Sequence, residues 1–333
     1  MLGTLVVGLG RSGAGLHLPV LRKLGYGSGR SFGRPPITVY DPRRAVPDAP
    51  DVVTASSLAQ AAALTDPERT VVHLCTGPSA RLRPLTELAD LGFRRILLEK
   101  PLAADEVELR EVLRLRELAR LDLVPVAQWR ASELTNRILG VLHGGRLGAL
   151  RSVAFTQSKP RFARTLAGDD HQSAFDVEVP HSLAVALLLA GPAEVTAAGC
   201  ADMLLGDAVF PSLGRAWLRL RHAGGTRTDI RTDLTAPVRE RRITVELEAG
   251  TLVGHYPISA IDEYAQLSVR THGGKVDSVF RDDSLTAFIA RAYRHFAGEE
   301  PLADEPAAGI AAVRLLAQAK RRSGLRVPVG ADR

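Results

Sequence analysis

The chain is poor in cysteine, in aromatic residues and in long apolar runs. Of its 333 residues only two are cysteine, Cys75 and Cys200, two are tryptophan, and aromatics make up 5%. Two thiols in apolar surroundings exclude a disulfide framework, cannot make a metal site by themselves, and point to a reducing compartment. No apolar run reaches the roughly 18 residues of a membrane helix, and the start lacks the basic segment and cleavage pattern of a secretory leader. A cytoplasmic protein without a membrane partner is expected. No H-E-x-x-H, C-x-x-C or close cluster of His and Asp offers a convincing metal site, so no metal is expected. Nothing has the form of a nucleophile elbow, which disfavours covalent catalysis. The net charge of +6 comes from arginine scattered along the chain. Without a basic stripe or a recognition-helix signature, no nucleic-acid partner is expected.

What is present is an ordinary globular composition, 45% hydrophobic and 24% charged, at a length that usually divides into two domains. The chain is organised around its first stretch. Leu5, Val6 and Val7 form an apolar run suited to a central parallel strand, and Gly8-Leu9-Gly10-Arg11-Ser12-Gly13 follows at once, before a helix. In the G-x-G-x-x-G spacing the first glycine permits the tight turn and the second lets a pyrophosphate approach the backbone. The third lets the helix lie close on the sheet. A phosphate there meets the free N–H groups and positive end of the helix. With 30 glycines in the chain the spacing alone also fits a plain turn, and its strand-to-helix context favours the dinucleotide.

The glycine-rich stretch 25–36 lengthens the route to a second strand, 37–40, which ends in Asp41, 28 residues after Gly13. A carboxylate there would bond the adenosine ribose hydroxyls and argues for NAD. Arg43 and Arg44 beside it suit the 2′-phosphate of NADP or a solvated turn. A helix is expected at 56–64 and strands at 71–74, 95–98 and 124–127, with helices at 82–91 and 104–120 between them. Thr76 and Pro78 follow the first of these strands and are candidate cofactor contacts, Pro78 also being a possible helix start. Glu99-Lys100-Pro101 follows the next, and Gln128-Trp129-Arg130 the last. A lysine just past a buried strand needs solvent or a partner for its charge; beside a nicotinamide it would stabilise charge developing on a substrate oxygen. Pairing with Glu99 is the bland reading, and a cis bond at Pro101 is expected. The alternation of strand and helix selects a doubly wound parallel sheet, domain 1–130.

The second half reads as alternating strands at 150–158, 194–202, 216–221, 226–233, 239–247, 251–256, 264–271 and 275–280, a large, mainly antiparallel sheet in an α+β domain, 131–300. A helix at 134–141 precedes it, and only one helix, 178–189, is available inside it. One face should therefore be open for a subunit partner, giving a homodimer or homotetramer. A loop at 159–171 carries Lys159, Arg161 and Arg164 and reads either as a cover over an anionic substrate or as a solvated basic loop. Helices at 284–297 and 307–323 close the chain, and 301–333 is expected to pack back on the first domain.

His181 lies early on the helix of the second domain, after Asp176 and Glu178. An imidazole held by a carboxylate is an ordinary general acid/base, and a histidine among Leu, Val and Ala is as readily a satisfied core residue. Glu178 shares its helix face, whereas Asp176 reaches back only if the preceding turn bends it in.

These residues together carry a resemblance. The glycine turn with His17-Leu18-Pro19 after it, Asp41, Glu99-Lys100-Pro101, the aromatic residue and Arg130 after the last parallel strand, and His181 resemble the glucose-fructose oxidoreductase, inositol dehydrogenase and MocA family. The likeness extends to the ending at 313–329. It implies a Rossmann domain followed by an open-faced sheet domain, a nicotinamide cofactor, NAD or NADP, and a small-molecule substrate. It further implies that Lys100 contacts nicotinamide and substrate oxygen, that His181 is the acid/base, and that Gln128 and Arg130 fill positions often read as Asn-x-Arg. The family's aspartate four residues before the histidine is here Val177, leaving Asp176, Glu178 or neither as the support. Its Thr-Pro-Asn-x-x-His is here Thr76-Gly77-Pro78-Ser79-Ala80-Arg81. The expected activity is hydride transfer to or from a secondary alcohol or ketone of a sugar, cyclitol or sugar nucleotide in biosynthesis. The alternatives are reduction of an imine and a dinucleotide-binding protein without catalysis.

Overall fold

A computed structural model describes residues 2–27, 36–44, 49–168, 173–259, 261–302 and 305–325. The described residues form two compact units, 2–127 with 285–313, and 128–284 with 314–325. The expected stretches 25–36, 169–171 and 326–333 fall partly or wholly outside the described residues.

The first unit is built on a parallel sheet of β1 (Gly3–Val7), β2 (Ile37–Tyr40), β3 (Val52–Thr54), β4 (Thr70–Leu74), β5 (Arg95–Leu98) and β6 (Asp122–Pro125). Their spatial order is β3-β2-β1-β4-β5-β6, so the chain reverses direction across the sheet between β1 and β4. That is the doubly wound arrangement, whose ligand crevice lies at this switch point beyond the strand ends. Helices α1 (Leu18–Gly27), α2 (Leu58–Leu64), α3 (Leu82–Asp90) and α4 (Glu106–Leu118) connect the strands. The core is aliphatic: Leu5, Val7, Val72, Leu74, Ile96 and Leu98 from the strands meet Leu58, Leu85, Leu88, Leu109 and Val112 from the helices. The helix expected from residue 104 starts at Glu106, because the Asp105 carboxylate caps it, accepting from Val107 N at 2.9 Å and Glu108 N at 2.8 Å. Two further differences matter. The three-residue edge strand β3 was not expected, and β6 ends before residue 126 because Gln128–Ala131 is already a 3₁₀ turn.

The second unit begins with α5 (Glu133–His143) and β7 (Leu150–Ser158), followed by α6 (Phe162–Leu166) and α7 (Val179–Ala190). The remaining strands are β8 (Ala193–Leu205), β9 (Ala208–His222), β10 (Arg227–Asp233), β11 (Glu240–Leu247), β12 (Gly250–His255), β13 (Tyr264–Thr271) and β14 (Gly274–Arg281). They form one eight-stranded sheet, antiparallel except where β10 runs parallel to β7. The strands expected at 194–202 and 216–221 are longer than their apolar patterns. They meet in a hairpin at Gly206 (φ +57°), a conformation glycine adopts without cost.

Side chains alternate as a half-buried sheet requires. Val153, Phe155, Leu218, Leu220, Ile230, Ile243 and Val245 are buried, whereas Arg215, Trp217, Arg219 and Arg221 are exposed. The covering helix is not α7 alone: Thr135 of α5 bonds the Tyr256 hydroxyl at 2.9 Å, and Ser182 of α7 accepts from Gln157 Nε2 at 2.6 Å. The exposed face is laced by cross-strand ion pairs, Arg215 with Asp233, Arg219 with Asp229 and Arg221 with Glu194.

The last helices are α8 (Ser284–Phe296) and α9 (Glu305–Arg322). The expected boundary at residue 300 separates α8 from the first domain, but α8 groups with the parallel sheet: Tyr293 bonds Thr4 and His73, and Arg95 Nε donates to Phe296 O. Helix α9 is divided. Val313 joins the core of the first unit, while Gln318 accepts from Val195 N and Lys320 pairs with Asp176 in the second.

Candidate functional site

The glycine turn sits where β1 ends. Gly8 has φ +90°, and a Cβ built on Gly13 would lie 1.9 Å from Gly8 O, so only glycine lets strand and helix approach this closely. No heavy atom lies within 4 Å of a Cβ built on Gly10, which leaves that side of the turn open to a ligand. The helix does not start as a regular one. Leu16 N and His17 N both donate to Ser12 O, at 3.1 and 2.8 Å, so Gly13–His17 is a π turn that precedes α1. The extra residue belongs with His17, whose buried ring reaches Glu99. Arg11 and Ser12 lie at the head of this turn.

Asp41 faces the same turn. Its Oδ2 accepts from Leu9 N at 2.6 Å and its Oδ1 from Arg43 N and Arg44 N at 2.8 and 3.1 Å. The carboxylate thus ties the end of β2 to the glycine turn while keeping lone pairs for a hydroxyl donor.

On the other side of the switch point, Gly77-Pro78-Ser79-Ala80 opens the approach to α3, with Pro78 starting a 3₁₀ turn. Thr76 Oγ1 is buried without a hydrogen-bond partner among the described residues, as a contact awaiting a ligand group should be. Arg81, in the place of the resembled family's histidine, is fully buried. Its guanidinium donates to Pro101 O and, at 2.8 Å, to Thr76 O, so it joins the two loops that follow β4 and β5. Burial pulls its pKa down to about 10 against the pull of Glu99, Glu108 and Cys75, which leaves it a cation at neutral pH.

Glu99, Lys100 and Pro101 follow β5, and the Lys100–Pro101 bond is cis. Glu99 Oε2 accepts from Lys100 N at 3.1 Å, and Oε1 lies 2.9 Å from His17 Nε2. Burial alone would raise the Glu99 pKa, but His17, Lys100 and Arg81 outweigh it and hold the carboxyl down to about 2. Burial likewise opposes protonation of His17, and the Cys75 sulfur and Glu99 overcome it, pushing the imidazole up to about 10. His73, whose Nδ1 is 2.7 Å from His17 Nδ1, is driven well below its ordinary value by burial and by the His17 charge. A salt-bridged floor therefore lies under the lysine. In the sequence His17 stands out only as part of the resemblance and Arg81 only as a departure from its motif, and nothing there marks His73.

The second unit carries the other expected residues. Gln128–Ala131 is a 3₁₀ turn in which Gln128 Oε1 is buried with no partner among the described residues, and Arg130 Nη1 donates to Ala184 O at 3.3 Å. Trp129 lies between two rings, its centroid 4.0 Å from Tyr256 at 9° and 5.3 Å from His181 at 26°. His181, 8% exposed, is thereby held flat against an aromatic face at the start of α7.

The two carboxylates before it part company. Asp176 closes a capping box, accepting from Ser173 N at 3.1 Å and Ser173 Oγ at 2.8 Å, and pairs with Lys320 at 2.7 Å. Glu178 pairs with Lys159, with Arg241 at 3.8 Å. Burial would raise the Glu178 pKa; Lys159, Arg241 and His181 hold it down to about 2. Lys159 is thus committed to Glu178, and Arg161 N is bonded to Leu234 O at 2.9 Å. The expected loop is in part the helix α6, and 169–171 lie outside the described residues. Among the described residues no His, Cys, Asp and Glu group could hold a metal ion, and no helix is long and apolar enough to cross a membrane.

Neither a protein-family model nor a curated protein matches the sequence. Solved structures do match along the whole chain. A mutant 3-ketoreductase from Actinomadura kijaniata, in complex with TDP-benzene and NADP, superposes with a TM-score of 0.75 at 15% identity, covering 98% of each chain. An oxidoreductase from Agrobacterium radiobacter, in complex with NAD+, L-tartaric acid and magnesium, gives 0.75 at 13%, covering 97% of this chain and 96% of its own. The UDP-N-acetylglucosamine 3-dehydrogenase from Acidithiobacillus ferrooxidans gives 0.73 at 18%, covering 96% and 97%. At these identities the likeness shows the fold alone.

Proposed function

We propose that the protein is an NAD(P)-dependent oxidoreductase acting on a secondary alcohol or ketone of a sugar, cyclitol or sugar nucleotide. The observation that carries this reading is the convergence at one switch point of the open glycine turn, Asp41, the orphaned Thr76 hydroxyl and Glu99-Lys100. The neighbours in fold crystallised with NADP or NAD+ support it, as do a 3-ketoreductase and a sugar-nucleotide 3-dehydrogenase among them. The pyrophosphate is assigned to Gly8, Gly10, Arg11, Ser12 and Gly13, and the adenosine ribose to Asp41, which favours NAD, with Arg43 and Arg44 as the NADP determinants. Thr76, Pro78, Glu99, Lys100, Pro101, Gln128 and Arg130 are assigned to the nicotinamide half.

When bound, the nicotinamide accepts or gives the hydride. The chain supplies the proton balance. In the oxidising direction the C–H electron pair leaves the carbinol carbon as hydride and the hydroxyl proton passes to a base of the protein, forming the carbonyl. Lys100 is the charge that stabilises the oxygen, its position held by Glu99. His181 is the acid/base, its ring fixed on Trp129, with Glu178 the better placed of the two carboxylates to stabilise its charged form. The exposed face of the second unit's sheet, with Trp217 and its paired arginines, is the surface assigned to a homo-oligomer.

The test is turnover of NADH and NADPH against a panel of keto-sugars and cyclic imines, with Lys100→Ala and His181→Ala alongside. Each variant should bind dinucleotide normally and lose at least about 100-fold in kcat. Turnover of imines alone would replace the ketone by the imine as substrate. Tight dinucleotide binding without any turnover would overturn the enzymatic reading.

A further inference from the structure

An unbroken line of hydrogen-bonded side chains runs through the interior of the first unit and ends at the loop that carries Lys100. Lys100 N donates to Glu99 Oε2 at 3.1 Å, and Glu99 Oε1 meets His17 Nε2 at 2.9 Å. His17 Nδ1 meets His73 Nδ1 at 2.7 Å, His73 Nε2 meets Tyr293 OH at 3.0 Å, and Tyr293 OH meets Thr4 Oγ1 at 2.6 Å. His17, His73 and Tyr293 are wholly buried. Burying these polar groups is costly, and aliphatic side chains would fill the same space without that cost.

The two Nδ1 atoms in contact restrict where protons can be, because one must donate and the other accept. With Glu99 ionised, as its surroundings keep it, two protonation states of His17 satisfy these contacts. In the first, His17 is an imidazolium that donates to both Glu99 and His73, His73 donates from Nε2 to Tyr293, and Tyr293 donates to Thr4. In the second, His17 is neutral with its proton on Nε2, and each of the other bonds points the opposite way, from Thr4 towards His17. The assignments differ by one proton and by the polarity of the whole line. Glu99 meets a full positive charge in the first and a neutral donor in the second.

We propose that His17, His73 and Tyr293 are positioning residues for Glu99 and Lys100: the line stores one proton on His17 and so keeps a balanced, correctly directed carboxylate under the lysine. The charged and titratable groups facing the pair are Cys75 and His73 around His17, and Lys100 and Arg81 around Glu99. Lys100 and Arg81 are donors and cannot accept from His17, and the Cys75 sulfur beside the imidazole is a weak acceptor, so His73 is the strong acceptor that lets His17 hold both protons. Burial and the His17 charge keep His73 itself neutral, as the first assignment requires. The role of Lys100 rests on the function proposed above; the proton on His17 does not.

Substitution at His73 separates this role from mere packing. In His73→Asn the amide oxygen takes the place of Nδ1 and still accepts from His17; in His73→Leu only the weakly accepting Cys75 sulfur remains beside it. His73→Gln puts its amide near Nε2, keeping Tyr293 but not His17. The readings are nitrogen-15 NMR of His17 and the titration of Lys100 as its carbon-13 dimethylated form, assigned with Lys100→Arg. At pH 8 the wild type and His73→Asn should show His17 protonated on both nitrogens. His73→Leu should show it neutral, with the Lys100 midpoint raised by about one unit because Glu99 is no longer balanced. If the leucine variant does not fold, His73→Gln gives the same two readings. A neutral His17 in the wild type, or asparagine and leucine variants alike in both readings, overturns the proposal. Neither reading requires turnover, so failure to find a substrate counts against the function and leaves this inference standing.

Discussion

Alanine at Gly13 and at Gly10 should fail in different ways, and the pair distinguishes a dinucleotide-binding turn from an ordinary one. At Gly13 the new Cβ would lie 1.9 Å from Gly8 O and 3.0 Å from Gly8 C, where real Cβ atoms essentially never come under 3.0 Å. Both obstacles are backbone, so β1 and the helix must separate by about 1 Å. Overpacking that cannot be absorbed by a side chain costs on the order of 3 kcal/mol. Thermal melting followed by circular dichroism should show a midpoint lower by roughly 5–10 °C. At Gly10 the situation is reversed. Its φ is not positive, and no heavy atom lies within 4 Å of its Cβ, so alanine should melt with the wild type. That open space is where the pyrophosphate is assigned, and a methyl group there should weaken NADH binding by tenfold or more, about 1.4 kcal/mol. The assay is fluorescence titration of NADH into both variants. If Gly10→Ala binds NADH as the wild type does, the turn is not a phosphate cradle and the reasoning fails. A Gly13→Ala variant with an unchanged melting point would refute the packing argument independently.

Three further outcomes are expected. NAD should bind more tightly than NADP, and Asp41→Ala should reverse the order by about tenfold, since the acidic group that repels a 2′-phosphate is gone while Arg43 and Arg44 remain; calorimetric titration of both dinucleotides checks this, and an NADP preference in the wild type assigns the site to the arginines. His17 and His73 share a reference of 6.5 and shift in opposite senses. His17 contributes stability that is complete below pH 6.5 and lost as pH rises towards 10, whereas His73, neutral in the fold, contributes stability above pH 6.5 that is lost as pH falls. Urea midpoints measured from pH 5 to 10 should therefore peak near 6.5, and His17→Asn should flatten the alkaline side; an unchanged alkaline slope in that variant refutes the charge assignment. Finally, Trp217→Glu on the exposed sheet face should reduce the mass seen by light scattering if that face joins subunits, and an unaltered mass removes it from the interface.

Strands with strong local patterns were readable with accurate ends: β2, β5, β7 and β13 match their expected ranges because an apolar or alternating run both starts and stops there. The helix boundaries followed caps such as Asp105 and Ser57. What escaped the sequence was decided elsewhere in the chain. β3 has three residues and no period to detect. The π turn at Gly13–His17 exists where His17 engages Glu99, which is 82 residues away. His73 has the pattern of a β-strand interior residue, and nothing local says that its ring meets His17 and Tyr293. Arg81 was visible only as a departure from the resembled motif, and its role as a buried tie between two loops needs the Pro101 and Thr76 carbonyls that the fold brings to it.

The carboxylate beside His181 shows how the fold chooses among alternatives that spacing leaves open. Asp176 and Glu178 stand five and three residues before the histidine, and Val177 occupies the place where the resembled family has its acid. Asp176 accepts two bonds from Ser173 and pairs with Lys320, so its charge is spent on capping a turn and on anchoring α9. Glu178 is surrounded by cations, with Lys159 and Arg241 on its oxygens and His181 close enough to help hold its pKa down. The effect is reciprocal: a carboxylate that is stabilised by a charged imidazole stabilises that imidazole in turn. Orientation comes from a different source, the Tyr256–Trp129–His181 ring stack, which needs no carboxylate at all. On the proposed function, the work that the resemblance gives to one aspartate is divided here, charge with Glu178 and direction with Trp129. It follows that Asp176→Asn should cost mainly stability and Glu178→Gln mainly the acid/base function proposed for His181. Comparing melting temperature with the pH profile of kcat for the two variants tests that division. A catalytic loss confined to Asp176→Asn would return the role to the aspartate.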